Sequence, residues 1–134
     1  RKNDKGGRTN LGITQKTYND YCKRHNIETK DVKNLSKGEA VKVYYDDYWK
    51  ASGADKIENP TEALILFDTA VLHGVGRAKQ FYKQADGNFD KILQLRKDFY
   101  KKKVQEDSSQ EEFLNGWNKR VDKLEKKLKQ SRNN

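Results

Sequence analysis

The stretch NPTEALILFDTAVLHG, residues 59–74, decides the fold. Asn59 is an N-cap residue, Pro60 takes the first helical position, where a missing amide is harmless, and Glu62 places an acid in the first turn. The residues after Glu62 are apolar on nearly every side, which marks the buried central helix of a bundle. Gly74 and Gly76 end it. Asp68 stands out as a carboxylate inside the most apolar helix. An unpaired buried charge is strongly destabilising, so Arg77, Arg96 or Arg120, or a set of backbone amides, must partner it. It reads as a structural acid, with a catalytic acid as the alternative.

Helix signals continue on both sides. Upstream, Thr14 caps a helix in which Tyr18, Tyr21 and Cys22 fall at i, i+3, i+4. A turn comes next, around Thr29 to Asn34. Ser36 and Glu39 then stand in the S-x-x-E relation that satisfies two free amides at a helix start. The set Ala40, Val41, Val43, Tyr44, Tyr45, Tyr48 and Trp49 is wider than one stripe, so part of this aromatic surface faces something other than the core. Downstream, Val75 to Ala85 resumes a helix that stops at Gly87, and Asn88 caps a long helix to about Val104. Ser109 with Glu112 opens the last, whose core stripe is Phe113, Leu114, Trp117, Val121, Leu124 and Leu128. Its mid-helix Gly116 and its Trp117 read as packing residues, and the SRNN tail after Gln130 is expected to fray. The class is all-α, a bundle of about six helices with a short glycine-rich turn or hairpin at the N-terminal edge.

A length of 134 residues fits one domain. The chain is 33% apolar and 37% charged, with aromatic residues spread throughout, which suits a small core under a heavily solvated surface. A net charge of +9 favours a polyanionic partner: nucleic acid, an anionic membrane surface or the acidic polymers of a bacterial envelope. The longest apolar run, Ala63 to Phe67, is far short of the ~18 residues of a membrane span. Cys22 is the single cysteine, so no internal disulfide forms, and it reads as a packing or surface thiol. The chain holds no methionine and begins with Arg1, so the natural start of translation is expected to lie upstream.

Chemistry concentrates in DKGGRTNLGIT, residues 4–14. Gly6 and Gly7 open backbone angles closed to other residues, and Asp4 and Asn10 are turn formers, so the stretch reads as a tight turn into the first helix or as a ligand loop. Neither G-x-x-x-x-G-K-[ST] nor G-x-G-x-x-G is present, which weakens a nucleotide reading. His25 and His73 lack metal-ligand spacing, and no metal or cofactor is expected. The lysine runs at 101–103 and near 123–129 read as solvated helix faces. Aromatics do not alternate with them on one face, as nucleic-acid binding would favour.

In order and spacing, D-x-GG-x-TN-x-GIT at 4–14, YYDDYW at 44–49, LFDTAVLHGVGRA at 66–78 and FLNGWNKRVDKL at 113–124 resemble the bacterial and phage N-acetylmuramidases of glycoside hydrolase family 108 with their C-terminal peptidoglycan-binding segment. The resemblance implies a lysozyme-like domain over 1–134, with 1–86 as the catalytic-type part, 87–130 as the helical peptidoglycan-binding segment and 131–134 as the frayed tail. It also implies that Asp4 and Thr9 are catalytic: Asp4 holds the attacking water or stabilises the cationic sugar, and Thr9 helps orient it. Glycosidic hydrolysis further needs an acid that protonates the leaving oxygen. In the family this is a glutamate in an E-G-G stretch about nine residues before the aspartate, which here falls upstream of Arg1. Three explanations compete: the start is trimmed, the acid is lost and the chain only binds glycan, or Glu39, Asp46 or Asp47 substitutes.

Lys5, Leu11 and His73 stand where the family usually has proline, tyrosine and asparagine. Lys5 beside Asp4 favours the ionised carboxylate, which suits water positioning. Leu11 removes a sugar-stacking ring. His73 keeps the asparagine's hydrogen bond or makes a pH-sensitive one. Asn10, Tyr45, Tyr48, Trp49 and His73 are the candidates for binding the sugar. The expectation is therefore a monomeric peptidoglycan N-acetylmuramidase acting at the cell wall, periplasmic, secreted or phage-associated, and inactive as this chain alone. A non-catalytic wall-binding or virion-structural module and a basic nucleic-acid binder are the alternatives.

Overall fold

The computed structural model describes residues 8–133, which form an all-α chain with one two-stranded sheet. In order they are β1 (Thr9–Asn10), β2 (Ile13–Thr14), α1 (Gln15–His25), α2 (Lys37–Tyr44), α3 (Pro60–His73), α4 (Val75–Gln84), α5 (Phe89–Glu106) and α6 (Glu111–Arg132). The chain divides into two compact units, residues 1–51 and 52–134.

The first unit is built on a hairpin. Thr9 pairs with Thr14 and Asn10 with Ile13, antiparallel, leaving Leu11 and Gly12 as a two-residue loop with φ of 56° and 82°. Such loops need positive φ at both central positions so that their twist matches the strands. Gly12 meets the demand without strain, and a Cβ there would lie 2.6 Å from the Tyr44 hydroxyl. Leu11 is disfavoured in that region. The Tyr44 hydroxyl donates to its carbonyl at 2.9 Å and holds the turn in place.

Thr14 then caps α1, its Oγ1 accepting from the Thr17 amide at 3.0 Å as its sequence position predicts. Tyr18, Tyr21 and Cys22 form the buried face of α1 and pack with Ile13, Val32, Leu35, Ala40 and Val43. The Ser36–Glu39 capping box opens α2. Beyond Tyr44 the helix widens into a π-helical stretch, Tyr45–Lys50.

In the second unit α3 packs on α4 and α6, and α5 packs on α4 and α6. Buried Ala63, Ile65, Leu66, Thr69 and Ala70 give α3 its core face, joined by Ala78, Phe81, Ile92, Leu93, Val121 and Leu128. Leu64 and Leu72 are 37% and 43% exposed, so α3 is less enclosed than its all-round apolarity suggests. Gly74 alone separates α3 from α4, and Gly76 lies within α4.

Asp68 is met by Arg96 and Arg120, not by Arg77. Arg96 Nη1 lies 2.9 Å from Oδ2, and Arg120 Nε donates to Oδ1 at 2.9 Å. Arg77 instead lies over the Phe99 ring. Arg96 is fully buried and also donates to Thr69 Oγ1 at 3.1 Å and to the Tyr100 hydroxyl at 3.2 Å. Burial opposes the Asp68 charge, but Arg120 and Arg96 outweigh it and hold the carboxyl below its ordinary range.

Two boundaries differ from those expected on sequence. The Ser109–Glu112 pair does not open α6, because the Asp107 carboxylate accepts from both the Ser109 amide at 3.1 Å and its hydroxyl at 2.6 Å; a short turn over Ser108–Gln110 then leads into the helix. At the other end α6 continues to Arg132, past the expected fraying point at Gln130. Asn59 Nδ2 donates to Ser131 Oγ at 3.1 Å, and Arg132 pairs with Asp90 at 2.7 Å.

Removing one partner of a buried ion pair leaves the other uncompensated. Asp68→Asn is expected to lower stability by about 3 kcal/mol, whereas Arg8→Ala, which breaks an exposed pair with Asp31, changes it by less than about 1 kcal/mol. Urea denaturation of both variants checks this, and equal small losses would refute the keystone role of Asp68.

Candidate active site

The site begins at the hairpin. Asp4 lies outside the described residues. Thr9 is exposed on β1, directly opposite Thr14. Opposed residues of an antiparallel pair project from the same face, so Thr9 and Thr14 are side-chain neighbours. The hairpin is braced against the 27–35 link by two polar side chains. Asn10 Nδ2 donates to the carbonyls of Val32, Lys33 and Leu35 at 3.0, 3.1 and 3.2 Å. Gln15 accepts from the Val32 amide at 2.7 Å and donates to the Lys30 carbonyl at 2.9 Å. Asn10, chosen from sequence as a sugar contact, thus spends its amide hydrogens on the fold.

The aromatic candidates lie on the π-helical stretch of the same unit. A π-turn inserts an extra residue and re-aims the side chains beyond it, which is why such turns often occur at functional sites. Tyr45 is 51% exposed, with Lys50 Nζ 5.8 Å from its ring centre. Tyr48 and Trp49 are half-buried, and Tyr48 packs on Tyr44 with centroids 5.7 Å apart. Burial, with the nearby Asp47 carboxylate adding to it, pushes the Tyr48 phenol above its ordinary value. Thr17, which opposes this rise, accepts from Thr14 Oγ1 at 2.9 Å. β2 and α1 are therefore joined through the Thr14 and Thr17 hydroxyls, next to the π-helical stretch.

The three carboxylates considered as substitute acids are all engaged. Glu39 is held down to about 2 by its hydrogen bond from Lys30 and by the Ser36 amide of the capping box, so it carries no proton to donate near neutrality. Asp46 accepts from the Tyr21 hydroxyl at 3.0 Å. Asp47 pairs with Arg24 and lies 3.1 Å from His25 Nε2.

His73 belongs to the second unit, at the end of α3. Its Nε2 lies 2.8 Å from the Tyr100 hydroxyl, and its ring packs edge-on against Phe81 and Phe99. Arg96 donates to the same Tyr100 oxygen, so His73 and Arg96 share this phenol. Desolvation, reinforced by Arg96 and Arg77, lowers the imidazole to about 4.

Sequence reasoning missed Gln15, Thr17 and Tyr44. Thr17 carried a signal: it stands three residues after the Thr14 cap, where its amide meets the capping oxygen. Gln15 and Tyr44 carried none, because their partners are main-chain groups distant in sequence. Among the described residues no group of three or more His, Cys, Asp or Glu side chains could hold a metal ion, and no helix is long and apolar enough to cross a membrane.

The threonine-bearing hairpin and the aromatic helix lie in one compact unit of this all-α chain. A family model described as glycosyl hydrolase 108 matches residues 1–74, more than half of the chain, and the chain belongs to that family. Its general class is that of the glycosidases, with glycan as substrate. No curated protein and no solved structure matches the chain.

The state of His73 fixes a pH dependence. The unfolded chain takes up a proton as pH falls through the ordinary histidine value of 6.5, whereas the folded chain does so only near 4, so stability is lost across that interval. Thermal midpoints are expected to fall between pH 7 and pH 5, and His73→Gln to flatten that slope. An unchanged slope in the variant would refute the assignment. The Asp68 contribution is lost at lower pH, because its carboxyl lies below the ordinary value of 3.8.

Proposed function

We propose that the protein is a peptidoglycan N-acetylmuramidase, cleaving the bond between N-acetylmuramic acid and N-acetylglucosamine at the bacterial cell wall. The observation that carries this reading is the glycosyl hydrolase 108 match, which spans the hairpin and the aromatic helix together.

The reaction needs an acid on one side of the glycosidic oxygen and a group that places water on the other. Asp4 takes the second role, holding the water or stabilising oxocarbenium character, and Thr9 orients it. The brace from Asn10 and Gln15 supports this assignment, because water placement tolerates little movement of the groups that hold it. The general acid is a glutamate encoded ahead of Arg1. The low pKa of Glu39 and the engagement of Asp46 and Asp47 favour this over a substitute within the chain. No second carboxylate is assigned as nucleophile, so direct attack by water with inversion is the course proposed.

Tyr45, Tyr48 and Trp49 offer ring faces and polar edges to the sugars. The helical segment 87–130 holds the same polymer, a role supported by Lys103 lying over both Phe99 and Trp117. The net charge of +9 assists approach to an anionic wall.

In the complete encoded protein, Asp4→Asn and Thr9→Ala are expected to slow lysis of purified cell walls by about a hundredfold or more, with thermal transitions within a degree or two of wild type, about the scatter of a surface substitution. Undiminished lysis refutes the roles of Asp4 and Thr9. A protein that sediments with walls yet never clears them, and whose gene encodes no E-G-G ahead of Arg1, is instead a non-catalytic wall-binding module.

A further inference from the structure

We propose that the second unit carries a carboxylate site made by Arg77 of α4 and Lys103 of α5, which takes the acidic stem peptide of the wall polymer. The inference rests on the peptidoglycan reading and deepens it, by assigning the peptide rather than the glycan to this unit.

Asp68 already neutralises two of the cations near His73 and Tyr100, namely Arg96 and Arg120. A second pair has no acid. Arg77 and Lys103 are exposed, and among the described residues no carboxylate pairs with either. Both meet one aromatic ring instead. The Arg77 guanidinium carbon lies 4.6 Å from the centre of Phe99, and Lys103 Nζ lies 6.0 Å from the same centre. Lys103 Nζ is also 5.7 Å from the centre of Trp117, a ring that stacks on Tyr100 at 4.9 Å. Phe99 is held in turn by His73, packed edge-on at 5.1 Å. Two charges from different helices thus come to a common place, with their side chains ordered against rings before any ligand arrives.

The local field agrees with the geometry. Desolvation lowers the His73 imidazole, and Arg96, Arg77 and Lys103 lower it further against the opposing charge of Asp68. An anion seated between Arg77 and Lys103 offsets this excess of positive charge.

The chemistry of the ligand follows from the groups on offer. A guanidinium over a ring keeps N–H groups at its edge, and these match the two oxygens of a carboxylate. Phe99 and Trp117 are half-buried, so they add apolar surface beside the cations. The stem peptides of peptidoglycan bring that combination, alanine methyl groups next to free carboxylates, and acidic peptides are commonly read by clustered cations. Nucleic acid fits less well. Its bases need ring faces to stack on, whereas the cations, His73 and Tyr100 already engage Phe99 and Trp117.

Calorimetric titration of the complete protein tests the proposal with a synthetic stem tetrapeptide of alanine, γ-linked glutamate, lysine and alanine. The same peptide with its carboxylates converted to amides is the second probe. The acid form is expected to bind, and the amide form to bind at least about tenfold more weakly, the scale of losing charge-assisted hydrogen bonds. Arg77→Gln and Lys103→Gln should each weaken the acid form by about two- to fivefold, as exposed ion pairs do, and leave the amide form unchanged. Lys101→Gln removes the same charge from an exposed position of α5 outside this cluster and should leave both affinities unaltered. An acid peptide that does not bind, or binds no better than its amide, overturns the proposal. So does an equal loss in Lys101→Gln and Lys103→Gln, the mark of diffuse attraction by net charge. Variants at Arg77 and Lys103 that lose affinity for peptide-free glycan strands or duplex DNA, and not for the peptide, assign the cations to those polymers and overturn it too. Walls that are never cleared, while the acid peptide still binds through Arg77 and Lys103, refute the muramidase reading and leave this inference standing.

Discussion

A carboxylate cannot be buried without a cation to meet it, and in this chain that constraint organises the second unit. Asp68 sits in the most apolar helix, so α3 reaches its packed position only when α5 supplies Arg96 and α6 supplies Arg120. Arg96 is fully buried and carries the ordering outward, to Thr69 on the same helix as Asp68 and through Tyr100 to His73. The cluster is a weak source of net stability, since desolvating its ions offsets most of their attraction. Its effect is to make other registers of α3 against α5 and α6 costly.

The same need to satisfy polar groups shapes the first unit, with main-chain groups in place of charges. A hairpin of two-residue strands and an irregular link over residues 27–35 cannot satisfy their amides and carbonyls by regular pairing. Asn10 and Gln15 supply the missing partners, and Tyr44 closes the turn. Thr9 thus stands on a segment braced from both sides, and a site needs its functional groups held by rigid support more than by any strength of their own. Asn10 Nδ2 donates to three main-chain carbonyls, a bracing use of the amide that the residue type alone does not announce.

The features legible in the sequence were those that local spacing determines. The caps at Thr14, Ser36, Asn59 and Asn88 depend on residues two or three positions apart, and each is formed as read. The all-α class and the buried stripe of α1 follow from periodicity in the same way. The rest depended on competition between distant groups. Three arginines could have met Asp68, and the folded geometry selects two. Ser109 carried a sound capping signal, but Asp107, a charged acceptor two residues earlier, took its hydroxyl first. The π-helical stretch at Tyr45–Lys50 leaves no mark in a pattern read at a 3.6-residue period, and with it went the facing of the aromatic rings. Near the candidate site the hairpin was visible, whereas its brace was not, because Asn10, Gln15 and Tyr44 bond main-chain groups distant in sequence.

The family match ends at Gly74, one residue beyond α3, and this boundary has a physical consequence. The matched segment contains Asp68 but neither arginine that neutralises it, for Arg96 and Arg120 both lie beyond the match. A chain stopped there would carry its most apolar helix with an uncompensated carboxylate at the centre, and α3 would stay exposed or protonate Asp68 to be buried. Residues on α5 and α6 are accordingly part of what lets the matched segment bury α3. The basic character of the C-terminal helices follows in part from the same need: two of their cations serve an acid that the family segment brings with it.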